Sequence, residues 1–143
     1  MLPLKKPQLK RIDLSKLDKI LDSWYSKYIR LRDSRDGIHA TCVTCGKVDE
    51  LKYMDNGHYI SRTKRATKYD ERNTHVQCKR CNGYLKGNIA NYAVYLEERY
   101  DFGILQELKI KSNGIFKPTV QWYMDKIEYY KELVLTMDKN GLW

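Results

Sequence analysis

The 143-residue sequence predicts an α+β fold in which helices dominate: a short central β module, held by cysteines, with amphipathic helices before and after it. Three observations carry that prediction. Apolar residues recur at helical spacing at both ends of the chain. The middle is broken into short, partly β-branched runs by Gly46 and Gly57, and two Cys-x2-Cys pairs bracket that middle. The length suits one ordinary domain, and 42% hydrophobic residues suffice for a modest core, so residues 1–143 are expected to fold as a unit.

Leu14, Leu17, Leu21, Trp24, Tyr28 and Leu31 fall on one helical stripe behind Asp13, a natural N-cap, which predicts an amphipathic helix over residues 13–35. Asp36-Gly37 ends it. From His39 to Tyr59 the pattern reads as a knuckle followed by short strands. After Cys81 the stripe Ile89, Tyr92, Ala93, Leu96 and Tyr100 predicts a helix that begins near the second cysteine pair and runs to about Arg99, so residues 39–100 form the central module. In the C-terminal part, residues 102–143, Phe102 to Ser112 reads as a short helix. Pro118, suited to a first helical turn, opens a longer one with Val120, Tyr123, Ile127, Tyr130, Val134 and Met137 on one stripe, fit for a core or a dimer interface.

The four cysteines, Cys42, Cys45, Cys78 and Cys81, leave none over. Two pairs with two intervening residues are how four thiolates reach one zinc ion, and such a site is closed and structural. His39 and His75 lie near them but are not needed as ligands, and are expected at the surface or behind the site. No apolar run is long enough to span a membrane and residues 1–16 carry no secretory pattern, which predicts a cytoplasmic location with reduced thiols.

Lys and Arg outnumber Asp and Glu by 27 to 18, a net charge of +9 that favours a polyanionic partner. Between Arg62 and Lys86 stand eight basic residues against only Asp70 and Glu71, so the excess surrounds the cysteines. Arg62, Lys64, Arg65, Lys79 and Arg80 are the candidate DNA contacts there. Tyr59, Tyr69 and Tyr84 are the aromatics best placed to stack on bases, although structural roles are commoner for each.

Asp55 and His58 stand between the cysteine pairs, and Asn82 directly follows the last one. A clamp joining the two pairs would bring these side chains together as a carboxylate, an imidazole and an amide in one pocket. Phosphodiester hydrolysis needs a base for the attacking water and positive charge at the phosphoryl oxygens. His58 can be the base, and Asp55 with Asn82 offers hard oxygen to Mg²⁺ or Mn²⁺.

The order Cys-x2-Cys, Gly57-His58, Asn73, then Cys-x2-Cys resembles the HNH, or ββα-metal, nuclease pattern. That resemblance implies that His58 is the general base, that Asn73 pins the loop of the motif by hydrogen bonds, and that Asn82 binds a catalytic metal. Asp55-x-x-His58 before Cys78-x2-Cys81-Asn82 is also similar to phage endonuclease VII, a Holliday-junction resolvase, which implies Asp55 and Asn82 as the metal ligands. Closer still is the lambdoid-phage recombination family NinG or Rap. Its members resemble Tyr28-Ile29-Arg30-Leu31-Arg32, Cys42-x-Thr44-Cys45-Gly46, Gly57-His58-Tyr59-Ile60-Ser61-Arg62, Tyr69-Asp70-Glu71-Arg72-Asn73 and Gln77-Cys78-Lys79-Arg80-Cys81-Asn82. This similarity, over roughly residues 25 to 105, implies a structural zinc, a catalytic Mg or Mn, and an endonuclease acting on branched DNA in a bacterial host, possible as a homodimer. The chain departs from the broad HNH pattern at Gly57, where many members carry His or Asp, and at Asn82 in place of a final His. Residues 104–143 match no family feature.

Two other classes share parts of this reading. A zinc-finger DNA-binding accessory protein without catalysis accounts for the charge and the cysteines but not for Asp55, His58 and Asn82 together. A zinc-stapled protein-interaction module would not bind DNA in a salt-dependent way.

Overall fold

A computed structural model of the protein describes residues 12–143; the expectation that no secretory signal is present falls chiefly on residues 1–11, outside the described residues. The first stripe becomes helix α1, Leu14–Arg32, and the Asp13 side chain caps it by accepting from Ser15 N at 2.9 Å. The helix stops before residue 35 because Arg32 turns to grip Asp33 and reaches the carbonyls of Glu71 and Thr74. Strand β1, His39–Thr41, then pairs antiparallel with β2, Val48–Glu50. The knuckle between them carries Cys42 and Cys45 and turns on Gly46, whose φ of +80° suits a residue without a Cβ.

After a 3-10 turn at Leu51–Tyr53, strand β3, Met54–His58, pairs antiparallel with β4, Thr74–Cys78, in a register that sets Met54 opposite Cys78 and His58 opposite Thr74. The loop between them holds a single helical turn, α2, Arg65–Lys68. The fold is thus mixed α+β with two small antiparallel sheets.

The helix expected to begin at the second cysteine pair does not do so. Arg80–Tyr84 is one π-helical turn, and Lys86 and Asn88, at φ of 51° and 47°, break the chain before α3, Ile89–Arg99. Left-handed backbone cannot continue an α-helix, and the break lets Cys81 turn inward while Asn82 stays at the surface of the turn. Helix α4 spans Ile104–Ser112 and α5 spans Val120–Met137. Pro118 precedes α5 instead of sitting in its first turn, because the Thr119 hydroxyl accepts from Trp122 N at 3.1 Å and takes the capping position.

Helices α1 and α5 lie side by side and run in the same sense, Asp18 meeting Tyr123 and Tyr25 meeting Tyr130 further along. Leu21, Tyr25, Ile29, Tyr123 and Tyr130 are fully enclosed between them. Each such side chain contributes about 1.5–3 kcal/mol by leaving water. The aromatic stripe of α5 is therefore interior, and it is not a free seam for a second copy. A second cluster, including Leu51, Met54, Val76 and Val134, packs round Cys42, Cys78 and Cys81, and a third joins α3 to α4 through Tyr92, Leu96, Ile104 and Leu108. No helix among the described residues is long and apolar enough to cross a membrane.

Candidate functional site

The knuckle and the start of the π turn bring the four cysteine sulfurs together, all within 4.8 Å of one another, with Cys45 and Cys78 Sγ 3.7 Å apart. Zinc–sulfur bonds of about 2.3 Å in a tetrahedron require sulfurs about 3.8 Å apart, so the four cysteines can hold a zinc ion. Cys81 N and the Asn88 amide each donate to a cluster sulfur at 3.5 Å, which spreads thiolate charge. Cys42, Cys78 and Cys81 are buried, and the cluster ties β1–β2 to the end of β4.

That tie sets Asn82 beside β3. Its Nδ2 donates to Asp55 Oδ2 at 3.1 Å across 27 residues, and Lys79 Nζ donates to Asp55 Oδ1 at 2.7 Å. Asp55 and His58 are three residues apart on one strand, an odd separation that sends their side chains to opposite faces. The single pocket expected for them is instead two adjoining clefts. One, of about 350 Å³, is lined by Asp55, Lys79 and residues of α1; the other, of about 530 Å³, by His58, Ser61 and Lys86. Asn56, Arg62 and Asn82 line both. At about 30 Å³ per water, even the smaller has room for a hydrated cation or a phosphate group.

His58 Nε2 lies 2.9 Å from the Lys68 carbonyl. A carbonyl only accepts, so Nε2 carries the proton and Nδ1 keeps its lone pair. Burial lowers the pKa of His58, the Arg62 and Lys68 charges add to that, and only the hydrogen bond and Asp22 oppose it. The ring is thus neutral at physiological pH. The accepting carbonyl is itself held: Lys68 Nζ, buried, donates to Asp18 Oδ2 at 2.7 Å, and Tyr69 and Tyr123 donate to the same carboxylate. Burial opposes ionisation of Asp18, yet the hydrogen bonds from Lys68 and Tyr69 outweigh it and keep its pKa below the usual value.

Asn73 is wholly buried and spends its amide on backbone. Its Oδ1 accepts from Ile60 N at 2.8 Å, and its Nδ2 donates to the carbonyls of Ile60 and Thr67 at 3.0 and 3.2 Å, closing the loop that follows His58. Gly57 answers a different constraint. A Cβ there would stand 1.9 Å from Gln77 Oε1, so no side chain fits while Gln77 donates to the Gly87 carbonyl at 2.9 Å.

The candidate DNA contacts divide. Arg62 and Lys79 line the clefts but pair with Asp22 and Asp55, whereas Arg65 turns away to Asp18 and the Tyr123 hydroxyl. Among the described residues no carboxylate lies within ion-pair distance of Lys64, Arg80 or Lys86, all exposed. Tyr84 is 81% exposed on the π turn, while Tyr69 bonds Asp18 and Tyr59 packs on Tyr92. His39 pairs with Asp36 at the surface. His75 is not at the surface: it is buried between the hydroxyls of Tyr92 and Tyr100, because the alternation of β4 turns it under α3. The sequence reading missed Asn56, whose amide atoms are both buried without a partner among the described residues, and the α1 residues Ser26 and Arg30 in the smaller cleft. Only the Tyr28-Ile29-Arg30-Leu31-Arg32 run pointed towards α1.

Comparison with known proteins gives a consistent result. The family model described as Bacteriophage Lambda NinG protein matches residues 3–140, so the likeness extends through α4 and α5, where the sequence reading found no family feature. The protein ninG of Salmonella phage P22 is 35% identical over 109 residues, covering 74% of this chain and 50% of the relative. That of Escherichia phage lambda is 36% identical over 109 residues with the same coverage, and that of Escherichia phage 933W is 37% identical over 89 residues, 60% of this chain and 41% of the relative. The chain spans about half the length or less of these curated relatives. No solved structure matches it.

Proposed function

The chain belongs to the NinG family, and from that premise we propose that it is a metal-dependent DNA endonuclease with a zinc-stapled ββα-metal (HNH) core, cutting branched recombination intermediates such as four-way junctions and D-loops in the cytoplasm of a bacterial host. The observation that carries this reading is the Asp55–Asn82 contact, which a cysteine cluster assembles from residues far apart in sequence beside a cleft lined by a neutral histidine. A fold alone has no need of that combination.

The donor set fits a hard divalent cation. Asp55 supplies a carboxylate, and a half-turn of the Asn82 amide, at the loss of one hydrogen bond, presents a second oxygen to the same space. Two protein oxygens leave the remaining positions to water and phosphate, as Mg²⁺ or Mn²⁺ prefers. When bound, the cation supplies Lewis acidity at the phosphoryl and leaving oxygens. The chain's own residues do the rest. His58 Nδ1 accepts the proton of the attacking water, and its Nε2 bond to Lys68 fixes the tautomer and the ring. Asn73 holds the loop from which Arg62 reaches into both clefts, where its guanidinium can bind phosphate oxygens once released from Asp22. Recognition goes through phosphates and branch geometry, and paired cuts across a symmetric junction call for two copies of the site.

One observation favours a second reading, a DNA-binding accessory protein without catalysis. Lys79 and Asn82 together occupy both oxygens of Asp55, so the carboxylate is already satisfied. Cleavage of labelled four-way junction, flap and linear duplex DNA with Mg²⁺, Mn²⁺ or no added cation separates the two. The nuclease reading expects branch-selective, cation-dependent cutting that Asn82→Ala reduces. Salt-dependent junction binding with no cutting under any of these conditions would leave the accessory protein.

A further inference from the structure

Two arginines stand two residues apart at the end of α1, and they are used differently. Arg32 is consumed by the fold: Nε donates to Asp33 at 2.8 Å, Nη1 to the Glu71 carbonyl at 2.9 Å and Nη2 to the Thr74 carbonyl at 2.7 Å, with the Asp33 carboxylate as its counter-charge. Arg30 has no such set. Its Nε donates to the Ser26 carbonyl at 3.2 Å, its guanidinium carbon lies 4.2 Å from the centre of the Trp143 ring, and among the described residues its terminal nitrogens have no acceptor and no carboxylate lies within ion-pair distance.

Arg30 is half-buried, and loss of water lowers its pKa against a weaker opposing pull from Asp55. A desolvated cation without a counter-ion is costly, and a guanidinium held by stacking keeps its fork geometry for a ligand. It lines the smaller cleft with Ser26, Asp55 and three other cations. Those three are engaged by acids, Lys52 by Glu50, Arg62 by Asp22 and Lys79 by Asp55, so Arg30 is the uncommitted charge of that cleft among the described residues.

On the DNA-cleaving reading above, we infer that Arg30 is a phosphate clamp, its terminal nitrogens taking the oxygens of a backbone phosphodiester next to the one at Asp55. Trp143 is its positioning residue. The Asp138 carboxylate accepts from Leu142 N and Trp143 N, both at 2.9 Å, which folds the chain back after α5 and lays the indole against the guanidinium. Helix α1 and the turn after α5 thereby join the substrate path, although the sequence assigned no site role to Arg30 or Trp143.

Fluorescence anisotropy with a labelled four-way junction, without added divalent cation and over about 50 to 200 mM salt, tests this. Arg30→Ala is expected to weaken binding about tenfold and to lower the slope of log affinity against log salt by about 0.9, the loss of one phosphate contact. Arg30→Lys should restore the slope but not the affinity, since an ammonium lacks the fork. Trp143→Leu should weaken binding a few-fold in the wild type and not at all in the Arg30→Ala background. Wild-type affinity and slope in Arg30→Ala overturn the clamp, as does full affinity in Arg30→Lys if the alanine variant loses zinc or fails to fold. Equal losses from Trp143→Leu in both backgrounds overturn the positioning role. If the wild type cuts junctions while Arg30→Ala binds and cuts normally, the clamp fails and the nuclease stands. If the wild type binds in the expected way but cuts nothing, the nuclease fails and the clamp stands. Absence of any DNA binding by the wild type overturns both.

Discussion

The cysteine cluster and the paired clefts lie on consecutive residues, Cys81 and Asn82, and use their polar atoms in opposite ways. The cluster turns four sulfurs inward onto a single point, three of the four cysteines are buried, and a zinc ion there has no open position. In the clefts Asp55, His58 and Asn82 are partly exposed, and among the described residues His58 Nδ1 has no partner and the buried amide of Asn56 is unsatisfied. One region is closed and holds the fold; the other keeps unsatisfied polar groups, which the proposed function assigns to a ligand. The difference teaches that stability and chemistry can be assigned to neighbouring residues in one turn, and substitutions should separate them.

The largest effect is expected at the cluster. Cys42→Ser or Cys81→Ser should remove zinc and with it the cooperative thermal transition, because the second hydrophobic cluster is built on these residues. A variant that keeps its transition without zinc would contradict the division. Asn73→Ala comes next. It orphans Ile60 N and the Ile60 carbonyl and leaves the Thr67 carbonyl with Asp70 N alone, and denaturant melts should show a loss of about 3 kcal/mol with zinc retained. Gly57→Ala should cost about 2 kcal/mol, since its Cβ must push Gln77 off the Gly87 carbonyl; an unchanged melt would mean that Gln77 has room to move.

The smallest effect at neutral pH belongs to His75. Burial lowers its pKa to about 3, with the Arg32 charge adding to the shift, whereas the unfolded chain takes the proton near 6.5. Between those values the unfolded state binds more protons, so the stability present above pH 6.5 is lost as the pH falls towards 3. His75→Gln, which does not titrate, should flatten the fall in melting temperature between pH 6.5 and 4. An equally steep fall in the variant would assign the acid sensitivity to the carboxylates.

Much of this architecture is legible in the sequence, and the illegible parts have definite causes. The stripes Leu14 to Leu31 and Val120 to Met137 specify α1 and α5 because period and burial agree, and the cysteine spacing anticipates a cluster that the fold closes. The break before α3 is hidden because Lys86 and Asn88, not glycines, adopt the left-handed backbone. The burial of His75 depends on α3 packing over β4, which local sequence does not record. Arg30 and Arg32 are indistinguishable as letters; only the placing of Trp143 and Asp33 separates a free cation from a spent one. Asp55 and His58 look like one constellation in sequence, yet the odd spacing on a strand divides them between two clefts that Asn82, arriving from the π turn, rejoins.

The central claim is that the cleft histidine does chemistry and does not hold the fold. Its most direct test is single-turnover cleavage of a labelled four-way junction by the wild type and His58→Ala with Mg²⁺ or Mn²⁺, with zinc content and melting temperature measured on the same samples. The account predicts a wild-type rate that rises with pH and is half-maximal below pH 6.5, the direction set by the lowered pKa of His58, and a variant slower by about 10²–10⁴-fold with zinc and folding intact. A variant that cuts at the wild-type rate, or one that loses activity only together with its zinc, would contradict it.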